Sequence, residues 1–195
     1  MTMSDSDILW LIVALAAAAI LVVAIITTRK HSRARSVELR ERFGPEYERA
    51  VAQFGSPARA ERELAARARR VEKITFRELS DGDRSRFTTA WSRIQEQFVD
   101  DPHVAVAGAN QLIKEVMQAR GYPSDGFEQR AADLSVDHPD VVQHYRAARK
   151  LAESDRDHQA TTEELRQAVV HYRVLFADLL QAPAGPAIPL REAHV

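Results

Sequence analysis

Apolar and polar positions along the chain fall into two regimes. Residues 8–28, ILWLIVALAAAAILVVAIITT, form an unbroken run of 21 positions without a charge. From residue 45 onward, apolar residues recur instead at spacings of three and four, which places them on one face of a helix. The first regime predicts a membrane span. At ~1.5 Å per residue the run is roughly 31 Å long, which matches a hydrocarbon core of about 30 Å. A buried helix of a water-soluble protein normally keeps a polar stripe, and this run has none. The second regime predicts amphipathic helices around a core, so the fold class is all-α.

The helical regime can be divided by its punctuation. Gly44–Pro45 ends a charged stretch and opens a short helix, PEYERAVAQFG, with Tyr47, Val51 and Phe54 on one face. Ser56–Pro57 starts PARAERELAARARRVEKI, rich in strong helix formers but poor in large apolar residues, so it is expected to pack through alanines and Leu64. KITFRELS alternates with period two. With no partner strand in the chain, it reads as an extended linker whose Ile74, Phe76 and Leu79 dock on the helices C-terminal to it.

Ser80-Asp81-Gly82-Asp83 resembles a capping box and precedes a stripe of Phe87, Trp91, Ile94 and Phe98. Asp101–Pro102 caps the next helix, with Ala105, Ala109, Leu112, Ile113 and Val116 on its inner face. Gly121 and Pro123 in RGYP stop it. GFEQRAADL is a further short helix. The next is expected to start near Pro139, with Asp137 as its cap and Asp140 in its first turn. Thr161 to Glu164 forms a full capping box before Leu165, Val169, Tyr172, Phe176 and Leu179.

These elements predict a short tail over 1–7, a transmembrane helix over 8–28 and a basic helical neck and linker over 29–79. A helical bundle over 80–181 and a disordered Pro-rich tail over 182–195 complete the chain.

Charge refines this picture. The net charge is −1, but residues 29–70 carry +6 and residues 71–195 carry −5. Arg29, Lys30, Arg33 and Arg35 flank the span on its C-terminal side, whereas only Asp5 and Asp7 precede it. Basic flanks stay on the cytoplasmic side, so the N-terminus is expected outside and the domain on the cytoplasmic side of the membrane. An exported domain is the alternative topology. A cleaved signal peptide fits poorly, because no Lys or Arg precedes the run and its small residues lie in its middle. The basic neck is suited to anionic lipid headgroups. Nucleic acid is not an expected partner, since Glu38, Glu41, Glu46 and Glu48 are interleaved with the arginines.

The chemistry-bearing residues are sparse. There is no cysteine, which excludes disulfides, thiolate metal sites and a thiol nucleophile. No phosphate-loop, dinucleotide-binding, nucleophile-elbow or HEXXH motif occurs. The densest polar stretch is DLSVDHPDVVQHY, with Asp133, Asp137, His138, Asp140 and His144. Helix capping and ordinary surface pairing account for these residues, and a metal site would need three or four convergent ligands. Asp155, Asp157 and His158 read as an acidic interhelical loop. His103 and His171 stand alone in the sequence. Trp91 with Phe87 and Phe98 reads as core, although a cavity near Trp91, Leu112 and Phe176 would suit a small ligand or lipid. Tyr122, at a helix end and expected to be half exposed, is the candidate contact for a partner.

The stretches RFGPEYERAV, FVDDP, RGYP and DLSVDHPDVVQHYR behind one N-terminal span resemble a family of uncharacterised bacterial membrane-anchored proteins, over roughly Arg42 to Leu180. The resemblance implies architecture and no activity, cofactor or catalytic residue. The expected function is therefore a protein-interaction or scaffold module held at the membrane, without enzymatic activity or cofactor. A small-ligand or lipid-binding module is the alternative, and an enzyme using the 137–144 cluster ranks below both.

Overall fold

The computed structural model describes residues 36–155 and 160–182, together with Ile20 and Val23. The apolar run, apart from those two positions, its basic flank and the C-terminal tail lie outside the described residues. Among the described residues no helix is long and apolar enough to cross a membrane. Every regular element among them is helical.

Residues 36–43 are helical and stop at Gly44. After them, the described residues form α1 (Pro45–Phe54), α2 (Pro57–Val71), α3 (Asp81–Asp100), α4 (Pro102–Ala119), α5 (Phe127–Asp137), α6 (Val142–Ser154) and α7 (Thr162–Gln181). Their starts reflect local chemistry. Pro45, Pro57 and Pro102 each stand in the first turn, where a missing N–H costs nothing. The side chains of Ser80, Asp101 and Thr161 accept from the backbone N–H of Asp83, Val104 and Glu164. At α7 the box closes in both directions, because Glu164 Oε2 accepts from Thr161 N–H at 2.8 Å.

The core lies where α3, α4, α6 and α7 meet, with α4 packed on α3, α6 and α7. Phe87 and Trp91 from α3 enter it, and Trp91 stacks on Phe176 of α7 at 4.9 Å between ring centres. Leu112, Ile113 and Val116 of α4 meet Tyr145 and Ala148 of α6 and Leu165, Tyr172 and Leu179 of α7 within the same cluster. The stripes read from sequence are therefore the buried faces. Trp91 is a core residue as expected, and its ring stacks on Phe176 where the alternative ligand-binding reading called for a cavity.

The segment between α2 and α3 is extended, and Phe76 and Leu79 dock on the core as expected, whereas Ile74 is only partly buried and outside the core cluster. Leu79 is buried and Phe76 packs edge-on against Tyr122, with ring centres 4.9 Å apart. Arg77 N–H donates to Arg120 carbonyl oxygen at 2.9 Å. This crossing explains Gly121, whose φ is +94° and whose missing Cβ would lie 2.4 Å from Thr75 carbonyl oxygen. The turn needs both the left-handed backbone and the bare Cα.

The compact unit runs Arg42–Val195. It takes in α1 and α2, which the charge pattern had assigned to a neck ending at residue 79. The reason is a set of buried ionic contacts. Glu46, in the first turn of α1, is 1% exposed. Arg146 of α6 holds it through two hydrogen bonds, Nε to Oε1 at 3.1 Å and Nη2 to Oε2 at 3.2 Å. Gln143 adds a third at 2.9 Å. Arg67 of α2, itself 6% exposed, lies 3.9 Å away. A second tie joins α2 to α5: Arg70 Nε donates to Asp133 Oδ1 at 2.9 Å. Beneath these, Tyr47, Ala60, Leu64, Ala68 and Val71 form the apolar seam of the hairpin.

Removing one partner of a buried ion pair leaves the other charge unmatched in a low dielectric. Glu46→Ala is expected to lower the unfolding free energy by about 3 kcal/mol. Exposed Glu48→Ala should change it by less than about 0.5 kcal/mol. Urea denaturation monitored by circular dichroism measures both.

Candidate functional site

The polar stretch from Asp133 to His144 is dispersed by the fold. Asp133 is buried on α5, where it accepts from Arg70 and from Gln129 Nε2 at 2.8 Å. Asp137 ends α5 and does not cap α6. The turn over Pro139–Val141 delays α6, which begins at Val142 without a side-chain cap. Asp140 is exposed in that turn, so it has no helical spacing to His144. His138 turns to α7, its Nδ1 2.5 Å from Asp178 Oδ2. His144 also turns to α7, with its Nδ1 2.8 Å from the Nδ1 of His171. Among the described residues no group of three or more His, Asp or Glu side chains converges as a metal site.

Tyr122 is also placed differently from expectation. It is 4% exposed rather than half exposed, because the docked linker covers its ring with Phe76. Burial pushes its hydroxyl well above the ordinary phenol range. It is a core residue of the RGYP turn and offers little surface to a partner.

The site that does assemble lies at the other end of α6. A cleft of about 380 Å³ opens between the start of α4 and the end of α6. Val104, Val106, Ala107 and Ala152 give it apolar walls. His103 and Asp155 close one side, with Nδ1 2.6 Å from Oδ1. The Asp155 side chain is only 10% exposed, so the imidazole replaces much of the hydration that the carboxylate loses. Arg149 reaches the cleft from α6 but is held by Glu153, Nε to Oε1 at 2.8 Å. Asn110 lines it with a side-chain oxygen that is buried and has no hydrogen-bond partner among the described residues. A buried acceptor without a donor is uncommon and costly.

His103 and Asp155 are 52 positions apart, so neither carries a sequence signal for the other. The FVDDP turn placed His103 one residue after the proline that starts α4. Nothing local indicated that the end of α6 would return to it. His171 was likewise legible only as a residue at the edge of an apolar stripe.

Arg29, Lys30, Arg33 and Arg35, expected to orient a membrane span, lie outside the described residues. No protein-family model matches the chain, and neither a curated protein nor a solved structure does. Nothing in these comparisons bears on the resemblance to uncharacterised bacterial membrane-anchored proteins.

Burial and the adjacent His144 both hold His171 below its ordinary value of 6.5. The folded protein thus binds a proton at this site less readily than the unfolded chain. Stability is unaffected well above that value and falls as pH drops through it, levelling off below the folded value. In buffer containing a chelator, the urea midpoint of the wild type should fall between neutral and mildly acidic pH. His171→Gln should lose that part of the slope. An equal slope in both proteins would show that the pair does not govern it.

Proposed function

We propose that this chain is a membrane-anchored helical interaction module. In this reading the apolar run 8–28 spans the bacterial inner membrane and the helical unit meets a protein partner in the cytoplasm. Support for the anchor comes from the length and uniform apolarity of the run. Arg29, Lys30, Arg33 and Arg35 fit the basic flank of the cytoplasmic side and an anionic lipid surface.

The observation that carries the interaction reading is the corner between α3 and α4. Val99 and Val104 are 83% and 54% exposed. Single exposed apolar residues are ordinary. Here two flank one turn, beside the cleft of His103 and Asp155. Gly44 lies by Pro139, just before α6, and the cleft lies at the end of α6. The corner is thus separated by the length of α6 from the point where the chain enters the compact unit. The cleft itself supports a second reading, a small-ligand site, because the unmatched Asn110 oxygen lies in its lining.

A photo-crosslinking amino acid at Val99 or Val104 of the full-length chain, expressed in its native cells, should give a discrete protein adduct. The same residue at exposed Arg173 should not. Adducts absent from the corner, or equal at all three positions, would overturn the interaction reading. Topology is tested separately. The chain lacks cysteine, so single cysteines at Ser4 and Ser154 report accessibility to an impermeant maleimide in intact cells. Labelling at position 4 alone is expected, whereas labelling at 154 alone would place the domain outside.

A further inference from the structure

A cleft of about 210 Å³ opens where α4, the RGYP turn and the second turn of α5 meet. Its walls carry two cations. Lys114 belongs to α4 and Arg130 to α5, and both are partly buried. Lys114 has neither an ion pair nor a hydrogen bond among the described residues. Arg130 donates Nε to the Tyr145 hydroxyl at 3.3 Å and Nη1 to the Asp125 carbonyl oxygen. Both acceptors are neutral, so its charge stays uncompensated and most of its five N–H donors stay uncommitted.

The lack of a carboxylate sets this cleft apart. The cleft at His103 includes Asp155, and two others along Arg146 include Glu63, Glu128 and Glu153. Here the remaining polar walls are Gln111, Gln118 and Ser124, all able to donate. Glu115 and Asp125 adjoin Lys114 and Ser124 in sequence, but neither lines the cleft, and Glu115 accepts from Gln111 at 3.1 Å. Two like charges in one concavity repel each other. With no acid to answer them, they focus a positive potential that draws in an anion.

The residue types select the anion. The planar fork of an arginine matches the oxygens of phosphate or carboxylate, and a lysine adds a compact point charge suited to phosphate. A dianion answers both cations, whereas one carboxylate answers a single charge. Pockets that enclose drug-sized ligands run to about 300–1,000 Å³. The smaller volume here suits a phosphoryl group on a short stem, not an enclosed nucleotide.

We propose that Lys114, Arg130 and Ser124 form a binding site for a phosphate monoester, recognised through its dianionic phosphoryl group. A small soluble phosphate and a phosphatidic acid headgroup share this chemistry. The assignment does not depend on the interaction reading.

The test is isothermal titration of the full-length chain in detergent at mildly alkaline pH. One arm uses inorganic phosphate. The other uses detergent micelles doped with phosphatidic acid, compared with phosphatidylcholine. Saturable binding of inorganic phosphate is expected, and binding in the lipid arm alone would assign the site to a headgroup. Lys114→Gln should weaken the binding about tenfold or more, the scale of one hydrogen bond between charged groups. Lys114→Arg should restore it. Lys73→Gln removes the same charge from an exposed position and should bind like the wild type. Circular dichroism confirms that each variant is folded. Arg130→Lys, which keeps the charge and loses the fork, should also weaken binding and gives a second variant if Lys114→Gln unfolds. No saturable binding in either arm, unchanged affinity in folded Lys114→Gln, or an equal loss in Lys73→Gln would each overturn the assignment.

Discussion

The fold depends most on one carboxylate. Glu46 opens α1, where the positive end of the helix favours a negative charge, and it is buried against side chains from two other helices. Arg146 grips it bidentately from α6, Gln143 adds a donor one turn earlier, and Arg67 approaches from α2. Such a group is costly to dehydrate and gains stability only when nearly every lone pair is matched. That condition is met only when the α1–α2 hairpin sits in one place on α5 and α6. The pair therefore acts as a register pin, while the apolar seam from Tyr47 to Val71 supplies the attraction. Arg70 and Asp133 repeat the device one helix further on.

This arrangement changes the meaning of the basic segment. Counted along the sequence, residues 29–70 form a positive block beside the apolar run. In three dimensions Arg67 is buried and Arg70 faces Asp133. Glu46, which looked like a surface charge interspersed among arginines, is hidden among them. Of the arginines of α2, Arg67 and Arg70 serve the fold, whereas Arg59, Arg62 and Arg69 are exposed. Charge counts alone overstate what the surface presents.

The histidines obey a similar logic on the other side of the molecule. Three of them sit at helix boundaries or stripe edges, and each finds a partner on a different helix. His103 meets Asp155, His138 meets Asp178 and His144 meets His171. α6 carries two of these contacts, Asp155 at its C-terminal cap and His144 along its length, while His138 ends α5. α6 also holds Glu46 through Arg146. Its position is thereby fixed by polar contacts, in addition to the apolar face formed by Val142, Tyr145 and Ala148.

Helix starts and buried faces were legible in the sequence because they arise from neighbours three or four residues apart. Pro102, the Thr161–Glu164 box, and the Phe87–Trp91 and Leu165–Leu179 stripes needed no tertiary knowledge. The start of α6 was misread for a local reason as well, since Pro139 suits a turn as readily as a first helical position. What the sequence could not carry was pairing between distant side chains. Tyr122 looked half exposed until the linker at Phe76 covered it. Glu46 and Arg146 are separated by 100 positions and His103 and Asp155 by 52. A titratable side chain has the same local signature whether it is solvated or matched in the interior. Only the packing of helices, set by the total apolar surface they bury together, decides which charges meet.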